Sequence, residues 1–131
     1  MSPLHLTVLA GDLAVWRLAA DAPLPEMEPR ALLSFTRTAE ELSVVSASSQ
    51  VPDGATVETG WRCLRVEGPL SFEMTGVLAA LSAPLAAAAV PIFVISTFDT
   101  DYILVKATDL ERVCTALGAE GNQISVETLK R

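Results

Sequence analysis

Cysteine, histidine and basic residues are all scarce in this chain. There are two cysteines, Cys63 and Cys114, one histidine, His5, and nine Lys and Arg against sixteen Asp and Glu, a net charge of −7 over 131 residues. Two cysteines make no disulfide framework, and neither stands in a CxxC pair. Neither has a histidine near it in sequence, and both read as unreactive. No P-loop, dinucleotide fingerprint or metal-ligand spacing occurs, so the sequence points to no enzyme and no cofactor. The acidic pairs Glu40-Glu41 and Asp99/Asp101 lack the ligand count of a calcium loop. The basic residues stand singly apart from Lys130-Arg131, and without a basic stripe there is no basis for nucleic-acid binding.

Long apolar runs are missing too. Met1 to Ala10 has neither a basic region nor an apolar stretch of signal-peptide length. The most apolar segment, Val77 to Ile95, is interrupted by Ser82, Pro84 and Pro91. It reads as a buried helix running into a buried strand, not a membrane span. A soluble, cytoplasmic protein is expected.

What is present suits a packed α+β core. Hydrophobic residues make up 50% of the chain and charged residues 19%, which excludes disorder. The first half opens with a strand over His5 to Leu9. A short helix is predicted after Asp12, with Leu13, Trp16 and Ala20 on one face. Pro23, Pro25 and Pro29 then make Asp21 to Arg30 a stiff extended connection. Ala31 to Phe35 and Leu42 to Ala47 read as strands around a turn at Arg37 to Glu40, and Ser48 to Gly60 as a linker.

The second half repeats this order more clearly. Trp61 to Glu67 alternates, which turns Leu64 and Val66 inward. Gly68-Pro69 breaks the strand, Ser71 caps a helix to about Ala89, and Pro84 kinks it. Ile92 to Thr97 and Tyr102 to Ala107 are strands. Thr108 and Glu111 have capping-box spacing ahead of a helix carrying Leu110, Val113, Cys114 and Leu117. Gly118 and Gly121 end it, and Gln123 to Val126 form a last strand. Glu41-Leu42-Ser43-Val44-Val45 parallels Asp101-Tyr102-Ile103-Leu104-Val105, which suggests an internal duplication, with a first half at 1–59 and a second at 60–131.

The second half also offers a pocket chemistry. A free amino acid presents a carboxylate and an ammonium close together. The helix terminus at Gly68-Pro69-Leu70-Ser71 offers backbone N–H groups to the carboxylate. Asp101, at a strand entrance, can accept bonds from the ammonium, and Phe98 can close over an aliphatic side chain. Plainer roles stand beside these. Ser71 caps a helix with or without a ligand, Phe72 and Met74 can fill core, Thr97 can serve only its strand, and Asp99 and Asp101 can bond their own turn.

Gly68-Pro69-Leu70-Ser71-Phe72, Leu81-Ser82-Ala83-Pro84-Leu85 and the run Ile95 to Val105 resemble the ACT domain family of the CASTOR type, akin to the regulatory domains of aspartate kinases. In the first half Thr36 to Glu41 is the best anchor. The resemblance implies a ferredoxin-like βαββαβ fold used twice, as tandem ACT domains with sheets side by side. It implies a non-catalytic regulatory module that binds a small molecule, an amino acid, at an interface between ACT units and signals to a partner enzyme or another copy. Ligand contacts would come from Ser71, Phe72, Thr97, Phe98 and Asp101, with Thr36 and Glu41 as a first-half counterpart. Met74 stands where arginine-sensing members carry an acid, so arginine itself is not implied. The alternative is a ligand-independent interaction or oligomerisation module with a vestigial pocket.

Overall fold

Alternating apolar side chains give eight strands against two α-helices among the described residues, a mixed α+β arrangement. The computed structural model describes residues 3–68 and 75–128. In chain order the elements are β1 (His5–Val8), β2 (Leu13–Leu18), β3 (Ser34–Arg37), β4 (Leu42–Ala47), β5 (Thr56–Val66), α1 (Val77–Ala87), β6 (Phe93–Ser96), β7 (Asp101–Lys106), α2 (Leu110–Ala119) and β8 (Gln123–Val126). Among the described residues no helix is long and apolar enough to cross a membrane.

The chain forms two compact units, one of residues 1–10 with 62–131 and one of residues 11–61. The division differs from a cut at 59/60 because β1 does not belong with the strands that follow it. It pairs antiparallel with β5, Leu6 opposite Val66, and parallel with β8, Leu6 opposite Ile124. In this unit β5, α1, β6, β7, α2 and β8 follow one another in the ferredoxin-like βαββαβ order, and β1 is inserted between β5 and β8.

Period-2 alternation then decides what lies under the helices. Leu6 and Val8 of β1, Leu64 and Val66 of β5, and Ile103 and Val105 of β7 share one buried cluster with Val77, Leu81 and Leu85 of α1 and Val113 and Leu117 of α2. The inward placement of Leu64 and Val66 is as the alternation predicts. Hiding each such side chain stabilises by about 1.5–3 kcal/mol before the entropy of ordering is charged against it.

Residues 11–61 depart from the sequence reading. The predicted helix after Asp12 is strand β2. Its Leu13 pairs with Ala47 of β4 and its Leu18 with Leu42. Ala14 and Trp16, two residues apart, point into a cluster with Leu42 and Val44, an alternation that outweighs the helical spacing of Leu13, Trp16 and Ala20. The Trp16 indole N–H donates to the buried Ser46 hydroxyl at 2.9 Å. The segment expected as a linker, Ser48 to Gly60, holds a 3₁₀ turn at Ser48–Gln50 and the first part of β5, which pairs with β2. Gly60, at φ +80°, lies where the β2–β5 register shifts, as a bulge requires.

No α-helix therefore occurs in residues 11–61, and the Pro-rich connection takes the place a helix would hold between β2 and β3. It opens with a turn in which the Ala22 N–H donates to the Ala19 carbonyl at 3.0 Å, and residues 22–29 form neither helix nor strand. Arg37 fastens it by donating to the Ala20 carbonyl and, at 2.7 Å, to the Ala22 carbonyl. Ala22 and Met27 pack on the Trp16 cluster.

Smaller corrections concern the helix ends. The predicted start of the long helix, Ser71 with Phe72, lies outside the described residues. Within them α1 is preceded by Gly76 at φ +80°, a conformation only glycine adopts without strain. Ahead of α2, Ala107–Asp109 form a 3₁₀ turn. Neither Thr108 nor Glu111 makes a capping box, and Asp109 spends its carboxylate on Arg112 at 2.7 Å. Gly118 lies inside α2, and the turn beyond the helix falls to Gly121, at φ +90°.

Candidate ligand site at the turn between β6 and β7

The strands β6 and β7 form an antiparallel hairpin in which Ser96 faces Asp101. Threonine shapes the turn between them. The Thr97 N–H donates to the Thr100 carbonyl at 2.8 Å, its hydroxyl donates to the same carbonyl at 3.0 Å, and the Thr100 N–H returns a bond to the Thr97 hydroxyl at 3.3 Å. These bonds leave the tip outside, and Phe98 is 79% exposed. A large apolar ring therefore stands at the tip of a turn braced by Thr97 and Thr100.

Asp101 opens β7, half-buried, and one carboxylate oxygen accepts the Ser96 hydroxyl at 2.6 Å. Its parity along the strand is that of Ile103 and Val105, so it stands on the helix-covered face. The structure thus brings Thr97, Phe98 and Asp101 together. Ser71 and Phe72 lie outside the described residues, and Met74 does too.

The first-half counterpart has the same turn with an offset. There the Thr38 N–H donates to the Glu41 carbonyl at 2.9 Å, and the Thr38 hydroxyl accepts the Glu40 and Glu41 N–H groups at 3.1 Å each. Arg37 pairs with Leu42 as Ser96 pairs with Asp101. By register, then, Glu41 matches Thr100 and Leu42 matches Asp101, one residue away from the alignment read in the sequence. Thr36 lies within β3, opposite Ser43.

Thr100 itself is the buried anchor of the second turn. Its hydroxyl donates to the Val66 carbonyl at 2.6 Å, tying the turn to the end of β5. We expect Thr100→Val to cost about 1–3 kcal/mol in urea unfolding, because that carbonyl is left without a donor. A change well under 0.5 kcal/mol would show that water serves the carbonyl equally well.

On the opposite face of β5 and β7 lies a cleft of about 330 Å³ that sequence reasoning did not single out. Arg65, Val66, Gly68, Asp99, Thr100 and Tyr102 line it. Arg65 is held by Glu67, whose Oε1 accepts its Nε at 3.1 Å and its Nη2 at 3.0 Å. The same oxygen accepts the Thr7 hydroxyl at 2.6 Å. The Thr7 hydroxyl first, and Arg65 second, hold the Glu67 carboxyl below its ordinary 4.5.

A carboxylate whose folded pKa is lowered adds stability that is complete above its unfolded pKa and is lost as pH falls through the folded value. We expect Glu67→Gln to be less stable than the parent at neutral pH, and the gap to close on acidification below about pH 4. Urea midpoints measured from pH 7 to pH 3 check this. A gap constant with pH would place the effect elsewhere.

A larger cleft, about 470 Å³, runs beside α1 and is lined mainly by small apolar side chains (Ala80, Ala83, Pro84 and Ala87) with Glu120 and Asn122 at its rim. It offers no opposed pair of charges. Cys63 is buried, and burial pushes its thiol up to about 12, which makes it a poor nucleophile. Burial also raises the Cys114 thiol. His5 shares a 2.7 Å hydrogen bond with the Ser125 hydroxyl. Among the described residues no three His, Cys, Asp or Glu side chains stand close enough to hold a metal ion.

Comparison with known proteins bears on the family and the fold. Residues 56–119 match the model of the ACT domain. A 58-residue stretch is 40% identical to the cytosolic arginine sensor for mTORC1 subunit 1 of Homo sapiens, and equally to that of Bos taurus. The match covers 44% of this chain and 18% of the sensor, so the chain spans only a small part of those relatives. Among solved structures, Atu0741 from Agobacterium tumefaciens superimposes with a TM-score of 0.92 at 32% identity, over 100% of this chain and 98% of that one. The aspartate kinase of Clostridium acetobutylicum shares the fold, with a TM-score of 0.66 at 10% identity over 86% of this chain and 34% of the kinase. The match runs from β5 to the end of α2, and over residues 56–119 this chain belongs to the ACT domain family.

Proposed function

We propose that this protein is a non-catalytic regulatory module that binds a small amino-acid ligand beside the Thr97–Asp101 turn and passes the event to a partner enzyme or another copy of itself. The observation that carries the reading is the turn itself. Thr97 and Thr100 brace it, and it presents Phe98, 79% exposed, beside the half-buried carboxylate of Asp101. An ammonium can meet the lone pairs that Ser96 leaves free, and the ring can cover the ligand's aliphatic part. The arginine sensor named above lends support, since an amino acid is what its name says it senses. The cytosolic sensor also supports a cytoplasmic setting.

A thermal-shift screen over the common amino acids tests the proposal. A ligand at one hundred times its Kd stabilises by about 2.7 kcal/mol, roughly 10 °C for a chain of this size. No shift at millimolar ligand, in protein shown to be folded, overturns the reading. A second reading, association without any ligand, draws on Val126, 66% exposed on β8. Light scattering with and without a hit separates the two: an oligomer indifferent to every amino acid favours the second.

A further inference from the structure

The cleft on the Arg65 side has a charge pattern that folding does not use up. The guanidinium spends Nε and Nη2 on Glu67 and makes no other hydrogen bond among the described residues. Glu67 is in turn fixed by Thr7 and by its own N–H, which donates to the His5 carbonyl at 2.8 Å. The guanidinium is thus locked in orientation by one edge, with its remaining donors uncommitted. Its side chain is only 34% exposed, so those donors are partly desolvated.

Asp99 lines the same cleft and forms no hydrogen bond or ion pair among the described residues. Arg65 and Asp99 therefore face one small volume without closing on each other, as opposite charges in contact would. The Tyr102 hydroxyl, also in the lining, is uncommitted among the described residues, and the Gly68 backbone is open to close approach. About 330 Å³ is at the lower end of small-molecule sites and fits a metabolite, not a cofactor.

From this juxtaposition we infer that the cleft is a second ligand site, specific for small zwitterions such as free α-amino acids, with the carboxylate on Arg65 and the ammonium on Asp99. It is separate from the turn site of the proposed function. Residues 101 and 102 point to opposite faces of β7, so Asp101 and Tyr102 serve different sides of the sheet. A lone anion would meet Asp99 unfavourably and a lone cation would meet Arg65 unfavourably, so only a ligand bearing both charges satisfies the cleft.

The experiment is an NMR titration of ¹⁵N-labelled full-length protein with each common amino acid in turn, and with acetate and ethylamine as single-charge probes. At least one amino acid should give saturable shifts at the Gly68, Thr100 and Tyr102 amides, with acetate and ethylamine at least ten-fold weaker. Because Arg65→Gln also undoes the Glu67 pairing, the exposed Asp99→Asn carries the test, with Tyr102→Phe as a milder second. Asp99→Asn should weaken the cleft response about ten-fold or more while Asp101→Asn leaves it intact. Equal response to acetate, insensitivity to Asp99→Asn, or no cleft response in folded protein overturns the inference. A thermal shift that survives Asp99→Asn but disappears with Asp101→Asn would sink the second site and leave the proposed function standing.

Discussion

A chain shortened to begin at residue 60 will not fold, although it keeps most of β5 and every later element of the βαββαβ run. The reason is β1. Leu6 is fully buried and Val8 nearly so, which removes about 1.5–3 kcal/mol for each when they are lost. The cut also removes ladder bonds on both sides: the Leu9 N–H to the Cys63 carbonyl at 2.9 Å, the Glu67 N–H to the His5 carbonyl at 2.8 Å, the Gln123 N–H to the Leu4 carbonyl at 2.9 Å and the Glu127 N–H to the Val8 carbonyl at 2.8 Å. Each contributes about 0.5–1.5 kcal/mol net. Together these losses rival the whole stability of an ordinary domain, about 5–15 kcal/mol. The shortened chain should show a collapsed amide spectrum, and a synthetic peptide of residues 1–12 should restore dispersion. Dispersed peaks from the fragment alone would favour an independent second half starting at 60.

Asp101→Asn should remove from about half to nearly all of the stabilisation that an amino-acid ligand confers. The neutral amide can still accept the Ser96 hydroxyl, so the hairpin keeps its geometry while the ammonium loses its counter-charge. A charge-assisted bond is worth about 1.5–3 kcal/mol, roughly a ten- to hundred-fold loss in affinity. At a ligand concentration of one hundred times the original Kd, a hundred-fold loss leaves about 0.4 kcal/mol of the original 2.7. Unligated melting temperatures of the two proteins should agree within a degree or two. Undiminished ligand stabilisation in the variant would show that the ammonium binds elsewhere.

Much of the second half could be read from the sequence because its strands obey one rule at a time. Gln123 to Val126, and in the first half Leu42 to Ala47, have the bounds that the sequence predicts, since each carries β-branched residues between turn residues. β2 was misread because Leu13, Ala14 and Trp16 are all buried, which blurs the period-2 signal and leaves a helix-like spacing. The start of β5 was hidden by Pro52, Asp53 and Gly54 before it and Gly60 within it, where a bulge tolerates the glycine.

The site divides the same way. The Thr97–Asp101 turn is local, and its residues announce it. The Arg65 cleft depends on β5 and β7 lying side by side, and nothing local states which strands become neighbours. One signal was available: Arg65 and Glu67 share the face opposite Leu64 and Val66, and two opposite charges two residues apart on a strand mark a polar face worth inspecting.

The insertion of β1 also sets a timetable for synthesis. The Leu4 N–H donates to a side chain 118 residues downstream, and His5 bonds Ser125 across 120. At about 5–20 residues per second, the first strand waits on the order of ten seconds at the ribosome for its last neighbour. Residues 11–61 can close on themselves in the meantime, whereas β1 finds its parallel neighbour only once Gln123–Val126 has been made.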